Sequence, residues 1–278
     1  MRVAIINGPR AADERTRPFR QAIDAEWTDE IGPGLDAILV FGGDGTVHRH
    51  LSRLAGAMSP VLVVPTGSGN DFASSLGIHN PGDSLRLWKR FIAGQGRVHW
   101  IDLGYANSDG DEQTHIFCNV ANFGLDSEIN RRANELSPFW RANGGYVLSL
   151  FPALLRYRAP VIKLIADGHL IERPILLAVA ANGTRYGRGL KIAPHANMED
   201  GFLDLCFVRD TSKVKVAALF PLVYIGKHLS LKEVEYLRFR HLRIECEHAL
   251  DIYADGEFLC RTPAEIRAVP NALPVIAP

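Results

Sequence analysis

The sequence predicts an α/β domain built on a parallel sheet, followed by a mostly antiparallel β domain. In the first third, short β-branched segments at residues 3–6, 37–41 and 61–64 alternate with helical patterns, an order typical of parallel βαβ units. After about residue 119 the patterns are those of hairpins, with Asp167 and Gly168 between two apolar segments, a strong signal for a two-residue turn. We therefore place the first domain at residues 1–120 and the second at residues 121–261, with the tail of about 262–278 as a candidate to pack back on the first domain.

Helices are predicted at four places in this frame. In the first domain, residues 19–27 follow the first strand, and another helix starts near His48 after the second strand. In the second domain, residues 137–157 are rich in aromatic side chains, and residues 214–228 place Ala217, Phe220 and Tyr224 on one stripe at helical spacing. We interpret both segments as core packing, and a lipid-facing surface is the alternative.

The composition is that of a folded chain without an overall charge. Lys and Arg together number 31, and so do Asp and Glu, so no global positive field attracts nucleic acid or an anionic membrane. The four scattered cysteines lack a CxxC spacing, which indicates reduced thiols and no zinc site. The longest apolar stretch, residues 146–155, is too short to span a bilayer. We expect a cytoplasmic protein that binds no nucleic acid and meets the inner membrane face only peripherally.

Two glycine-rich loops follow predicted strands and lead into helices. GGDGT occupies residues 42–46 and TGSGND occupies residues 66–71. Glycine lets a backbone approach a ligand closely, and the N–H groups at a helix start attract anions. One helix terminus contributes too little for micromolar binding, so two loops with the Thr46 and Ser68 hydroxyls and Mg²⁺ favour a nucleoside triphosphate over a lone phosphate. A pair of tight turns without a ligand is the alternative.

The two loops resemble the catalytic domain of the diacylglycerol, sphingosine and bacterial lipid kinases. Four further segments match later motifs of that family in order: NVANFGLDSEI at 119–129, YGRGLKIAPHA at 186–196, DGFLDL at 200–205 and DGE at 255–257. The matches cover nearly the whole chain. The resemblance implies ATP binding in the first domain, a β-sandwich as the second domain and an acceptor in the cleft between them.

The resemblance also implies roles for individual residues. Glu257 is the expected proton acceptor, with Asp255 beside it, and Asp44 is expected near the phosphates or Mg²⁺; an exposed hairpin turn is the alternative for the first two. The expected nucleotide-binding set comprises Asn7, Gly42, Gly43, Asp44, Gly45, Thr46, Thr66, Gly67, Ser68, Asn70 and Asp126. Asp200 is the candidate ligand of a structural Mg²⁺, and a surface turn without metal is the alternative.

Two features depart from the family pattern. His48 and Arg49 stand where the family usually has Asn and Glu, so a cation replaces a carboxylate and either contacts phosphate or weakens catalysis. Between residues 25 and 35 the chain is too short for the strand and helix that the family has before GGDGT. We expect a more open nucleotide pocket on that side, with Thr28 as a remnant contact.

The predicted function is ATP- and Mg²⁺-dependent transfer of phosphate to the hydroxyl of diacylglycerol or a similar lipid at a membrane surface. One alternative is a nucleotide-binding protein of the same fold with weakened or lost catalysis. Another is a kinase for a soluble acceptor such as NAD. A homodimer is left open.

Overall fold

The computed structural model describes residues 1–9, 13–111, 113–135, 153–154 and 156–278. The first domain contains a parallel sheet with the strand order β2-β1-β3-β4. Its strands are β1 (Arg2–Asn7), β2 (Glu26–Thr28), β3 (Ala37–Gly42) and β4 (Val61–Pro65). Its helices are α1 (Asp13–Arg20), α2 (Asp44–Ala57), α3 (Asp71–Ser75) and α4 (Pro81–Ile92). Every residue of β3 and β4 is buried, as expected for parallel strands that are covered on both faces.

Two long strands run through both domains. β5 (Arg97–Ser108) and β15 (Ala264–Ala277) pair antiparallel along their lengths, with a register shift between Val269 and Leu273. The end of β15 also pairs with β4 in parallel, through Val275 and Val61. Leu103 and Leu273 belong to the first core, whereas Ala106 and Ile266 belong to the second. The division between the two cores therefore falls inside these two strands and not at one point near residue 120.

The second domain is a sandwich of two antiparallel sheets that share β9. The sheets are formed by β6 (His115–Phe117), β7 (Val120–Gly124), β8 (Val161–Ala166), β9 (His169–Ala181), β10 (Leu203–Arg209), β11 (Val234–Phe239), β12 (His241–Cys246), β13 (Asp251–Ala254) and β14 (Glu257–Arg261), together with β5 and β15. The first half of β9 pairs with β8, and the second half pairs with β7 and β10. Asp167 and Gly168 form the β8–β9 turn with φ of 46° and 86°, the conformation for which that dipeptide is favoured.

Two helices cover the outer face of the β7-β9-β10 sheet. They are α5 (Leu125–Glu135) and α6 (Lys213–Tyr224). Val216 and Val223 of α6 pack with Leu125 and Ile129 of α5 in a third apolar cluster. Within the described ranges, no helix has the length and apolar character needed to cross a membrane.

The predicted fold class is confirmed, with local corrections. The first helix ends at Arg20, and Trp27 lies in β2. A strand therefore exists where the chain was expected to be too short for one, and Thr28 ends it, with its Oγ1 accepting a hydrogen bond from Glu30 N. The core-packing interpretation of the α6 stripe is wrong for Tyr224, which is 42% exposed. Most of the predicted helix at 137–157 lies outside the described residues.

Candidate active site

Three loops at the carboxyl ends of neighbouring parallel strands form a cleft of about 420 Å³. Because β1, β3 and β4 are adjacent in the sheet, their following loops meet at one edge, where open α/β sheets bind ligands. The lining consists of Gly8 and Pro9 after β1, residues 42–46 and Arg49 after β3, residues 66–69 after β4, and Arg188 from the second domain. The two predicted glycine loops are thus side by side on one cleft.

The two glycine loops touch through their backbones. Asp44 N donates a hydrogen bond to Gly69 O at 3.2 Å, and Thr66 N donates one to Gly42 O at 3.1 Å. A Cβ atom built on Gly43 would lie 2.3 Å from Gly69 O, which no side chain can tolerate without displacing a loop. Glycine at position 43 is therefore required for the two loops to pack against each other.

Asp44 joins the loops by capping α3. Its carboxylate accepts hydrogen bonds from Asp71 N at 3.1 Å and Phe72 N at 3.0 Å, the first N–H groups of that helix, which lack partners within it. Burial raises the pKa of Asp44 to about 6, and the charge of Asp71 adds to the rise. Burial likewise raises the pKa of Asp71, whose carboxylate accepts a hydrogen bond from Arg188 N at 2.7 Å. Two acids with raised pKa thus lie next to each other at the start of α3.

Two residues of the expected binding set, Asn70 and Asn7, are close to the loops but do not line the cleft. Asn70 accepts a hydrogen bond from Gly67 N and donates one to Gly67 O, both at 3.1 Å. Its side chain therefore fixes the shape of the second loop. Asn7 is exposed at the carboxyl end of β1, and the lining there comes from Gly8 and Pro9.

The polar groups of the cleft fit a phosphate chain. Thr66 Oγ1 is buried and has no hydrogen-bond partner in the described part of the chain, which suits a hydroxyl that bonds a ligand. Thr46 and Ser68 add hydroxyls, and Arg49 and Arg188 add cations to the same lining. Arg49 therefore faces the phosphate side of the site, where a guanidinium favours anions. The donor set matches a polyanion better than a neutral guest.

A second, smaller cleft of about 180 Å³ adjoins the first and lies between the domains. It shares Asp44, Gly69 and Arg188 with the phosphate cleft and adds Asp71, Asn119, Val120, Asn122, Tyr186, Gly187, Asp255 and Gly256. Three carboxylates therefore converge beside the phosphate cleft. We call this space the acceptor cleft.

Asp255 anchors the two domains to each other. It occupies the β13–β14 turn with φ of 52°, and its carboxylate accepts hydrogen bonds from Cys118 N, Asn119 N and Val120 N at 3.0 to 3.1 Å. His48 of α2 donates from Nδ1 to the same carboxylate at 3.3 Å. The side chain is only 1% exposed. These contacts assign Asp255 a positioning role, because its two oxygens already accept hydrogen bonds from three backbone N–H groups.

We expect Asp255→Asn to destabilise the protein by about 2 kcal/mol or more, because an amide offers one acceptor oxygen to three backbone donors. Asn tolerates the left-handed turn conformation, so backbone strain does not contribute. Urea unfolding measures the change. Glu247→Gln, the same loss of charge on an exposed glutamate, is the control and should shift the midpoint little; an equal shift in both variants would contradict the anchoring role.

His48 is held by the carboxylates around it. Burial disfavours its protonated form, but the hydrogen bond and charge of Asp255, together with the charge of Glu257, outweigh burial and raise the pKa of His48 above its ordinary value of 6.5. The residue that replaces the usual Asn of the family therefore keeps its positive charge beside Asp255 to a higher pH than an ordinary histidine does. It links α2 of the first domain to the β13–β14 turn of the second.

A raised histidine pKa makes its stabilisation depend on pH. The contribution is fully present below the ordinary pKa of 6.5 and is lost as pH rises through the higher value of the folded state. We therefore expect the stability difference between the parent and His48→Asn to be larger at about pH 5.5 than at about pH 8.5. Thermal unfolding at both pH values tests this. A difference that is constant or grows with pH would rule out the charged pair.

Glu257 is the first residue of β14 and directly follows the β13–β14 turn. It is exposed, and in the described ranges it takes part in no hydrogen bond or ion pair. Its charge nevertheless acts on His48, which places it near the α2 side of the acceptor cleft. It is therefore a carboxylate at this site whose oxygens are not already committed to backbone donors.

The structure does not bring Asp126 to the phosphates. Asp126 follows Leu125 at the start of α5, is 1% exposed and lines a narrow cavity under α6. The other lining residues of this apolar cavity include Leu125, Ile129, Leu177, Tyr186, Leu190, Val216, Phe220 and Val223. Tyr186 lines both this cavity and the acceptor cleft. The apolar cavity and the acceptor cleft therefore meet at Tyr186.

The Asp200 turn does not fit the expected structural Mg²⁺ site. Asp200 accepts a hydrogen bond from Phe202 N at 3.0 Å, and its other oxygen pairs with Arg238 at 3.1 Å. A guanidinium therefore already supplies the positive charge at this turn. Among the described residues, no group of three or more Cys, His, Asp or Glu side chains could hold a metal ion.

Sequence reasoning missed several lining residues. Gly8, Pro9 and Gly69 lie in the same loops as predicted site residues, but they lack a distinctive side chain. Arg188 and Tyr186 belong to the YGRGLKIAPHA segment at 186–196, which was matched to the family without a role for any residue. A cation inside a glycine-rich segment was the available signal for Arg188. No local pattern places it beside Asp71.

Sequence comparisons identify relatives of the whole chain. Residues 9–105 match the family model of the diacylglycerol kinase catalytic domain, and residues 119–277 match that of the YegS C-terminal NAD kinase beta sandwich-like domain. A diacylglycerol kinase of Mycobacterium tuberculosis is 37% identical over 252 residues, which cover 89% of this chain and 79% of that protein. A "probable lipid kinase YegS-like" of Chromohalobacter salexigens is 30% identical over 259 residues, which cover 88% and 77%.

Solved structures agree with the fold. The crystal structure of a diacylglycerol kinase from Bacillus anthracis str. Sterne superposes with a TM-score of 0.72 at 22% identity and covers 100% of this chain and 96% of that chain. At this identity the likeness supports the architecture alone. Together with the two family matches and the 37% identical relative, it leads to one conclusion: the chain belongs to the family of diacylglycerol kinases and YegS-like lipid kinases.

Proposed function

We propose that the protein transfers the γ-phosphate of ATP to the hydroxyl of diacylglycerol or a similar lipid, with Mg²⁺. One observation carries this proposal. The acceptor cleft shares Asp44, Gly69 and Arg188 with the phosphate cleft on one side, and it shares Tyr186 with the apolar cavity on the other. Phosphate, hydroxyl and lipid chain would therefore lie in three adjoining spaces.

The nucleotide side of the proposal is supported by the chemistry of the phosphate cleft. Its glycines allow the backbone to approach an anion, and its hydroxyls and guanidinium groups supply donors. Asp44 and Asp71 are the residues that would hold Mg²⁺, because this ion commonly takes one or two carboxylates together with substrate phosphates. When bound, Mg²⁺ neutralises phosphate oxygens and so lowers the barrier to phosphoryl transfer.

The acceptor side is supported by the apolar cavity. Its lining joins α5, α6 and the outer face of the sandwich, with Asp126, Tyr186 and His228 as its ionisable members. The cavity encloses only about 40 Å³, so it must widen to admit an acyl chain. A soluble acceptor would not use this space.

The carboxylates have different roles in the proposed transfer. Asp255 holds the turn and the segment 118–120 in place, and Glu257 accepts the hydroxyl proton as the acceptor oxygen attacks. Asp71 holds the Arg188 loop of the second domain against the first. Positioning and charge neutralisation provide most of the rate in phosphoryl transfer, so the contacts between domains matter as much as the base.

The test is to incubate the purified chain with labelled ATP, Mg²⁺ and a panel of acceptors. The panel contains diacylglycerol, other lipid alcohols, NAD and small soluble alcohols. We expect label on a lipid. Label on a soluble acceptor alone would show that this acceptor, and not a lipid, is the substrate. ATP binding without any labelled product would support the catalytically inactive alternative.

A further inference from the structure

Helix α6 is apolar on two opposite faces. Val216 and Val223 are 7% and 5% exposed and pack inward. On the outer side, Val214 is 79% exposed and Ile225, directly after the helix, is 57% exposed. One apolar face is accounted for by the third core cluster, and the other faces outward.

The outer residues form a stripe at helical spacing. Val214, Ala218, Pro221 and Ile225 follow one another at intervals of four, three and four residues, and each is exposed. This spacing places them on one face of a helix. Two of the ten large apolar side chains that are exposed in the described ranges, Val214 and Ile225, lie on this stripe. Scattered apolar residues need no explanation, but a continuous stripe marks an interaction surface.

The basic residues around the stripe indicate what kind of partner it would bind. Residues 211–232 contain four lysines and no Asp or Glu, in a chain whose net charge is zero. Lys227 and Lys232 are exposed and have no ion pair in the described part of the protein, whereas Lys215 pairs with Glu233. Arg156 and Arg158 are exposed next to Tyr157, whose carbonyl accepts a hydrogen bond from Lys213. An apolar stripe with a basic rim is complementary to an anionic bilayer.

We propose that the outer stripe of α6 docks on the surface of an anionic lipid bilayer. The inner face of the same helix lines the apolar cavity that shares Tyr186 with the acceptor cleft, so docking places the membrane one helix away from the acceptor side. The use of this contact to deliver substrate rests on the proposed lipid kinase activity. The contact itself does not require it.

Vesicle flotation without ATP tests the docking independently of catalysis. The full chain should bind vesicles of phosphatidylcholine and phosphatidylglycerol, bind pure phosphatidylcholine vesicles less, and lose binding as salt is raised. The double variant Val214→Glu, Ile225→Glu should weaken binding by about tenfold or more for each apolar side chain lost. Lys227→Ser should reduce the preference for phosphatidylglycerol.

The matched control is Leu170→Glu. Leu170 is 59% exposed on β9, seven residues and roughly 23 Å along the strand from the Leu177 of the apolar cavity. The Leu170→Glu variant should bind vesicles like the parent. Equal losses in the control and the double variant would overturn the proposal, as would parent chains that do not float with anionic vesicles. A changed oligomeric state in the double variant with unchanged vesicle binding would assign the stripe to a second copy instead.

Turnover separates this proposal from the proposed function. The double variant should phosphorylate a short-chain, water-soluble diacylglycerol like the parent, but phosphorylate long-chain diacylglycerol in vesicles at least about tenfold more slowly. If the parent phosphorylates neither acceptor yet floats with anionic vesicles, the proposed function fails and the docking surface stands. If turnover in vesicles is unchanged although flotation is lost, docking does not deliver the substrate.

Discussion

Glu257→Gln is expected to lower kcat by about 10²- to 10⁴-fold, the usual contribution of a positioned general base. The amide keeps the size of the side chain but cannot accept a proton. Because Glu257 is exposed directly after Gly256 of the acceptor cleft and does not line the phosphate cleft, ATP affinity should change little. Steady-state kinetics with the acceptor identified by the labelling assay, together with ATP titration, measure the two effects separately.

The other carboxylates near the cleft are worse candidates for the base. Asp255 accepts three backbone N–H groups, Asp44 accepts two at the start of α3, and Asp71 accepts Arg188 N. These hydrogen bonds occupy the carboxylate oxygens and hold them in place. Protonation would break part of the structure that positions the substrates. Glu257 has no such commitment in the described ranges.

Glu247→Gln is a suitable control here as well. Glu247 is exposed just before β13, and its replacement by Gln is the same chemical change made away from the site. It should leave kcat and ATP affinity as they are. Unchanged turnover in Glu257→Gln would remove the assigned role. A large loss of ATP binding in that variant would instead show that Glu257 acts on the nucleotide.

Local patterns were sufficient to predict the architecture, because β-branched segments, glycine turns and the Asp167–Gly168 hairpin each determine nearby backbone. They failed where distant segments decide the structure. The strand β2 is only three residues long and exists because β1 offers it a parallel edge. The sharing of β5 and β15 between two cores depends on pairs such as Val275 with Val61, which no short pattern contains.

The candidate site divides in the same way. The glycine loops could be located from the sequence, since each lies at the end of one strand. The work of the carboxylates could not, because it depends on residues far apart in the chain: Asp255 meets the segment 118–120, and Asp71 meets Arg188. Asp126 follows the β7 strand much as the glycine loops follow theirs, yet it turns into an apolar cavity. The position of a residue after a strand therefore predicted where a site lies, but it did not predict what that side chain contacts.

Gly43→Ala should weaken ATP binding by about ten- to a hundredfold, although it adds only one methyl group. The φ of −109° at Gly43 is open to any residue, so the backbone itself is not strained. The cost comes from space, because the added Cβ would lie 2.3 Å from Gly69 O and 3.0 Å from Gly67 Cα. The loops must separate, which removes the hydrogen bond from Asp44 N to Gly69 O and disturbs the cap of α3.

Gly56→Ala is the matched control on the same helix. A Cβ there meets nothing within 4 Å, so the change should stabilise α2 by about 0.5 to 1 kcal/mol and leave ATP affinity unchanged. Isothermal titration with ATP and thermal unfolding distinguish the two outcomes, since Gly43→Ala should lose affinity while the fold survives. If Gly43→Ala binds ATP like the parent, the phosphates do not need the two loops in contact, and the triphosphate site must be sought elsewhere along the sheet edge.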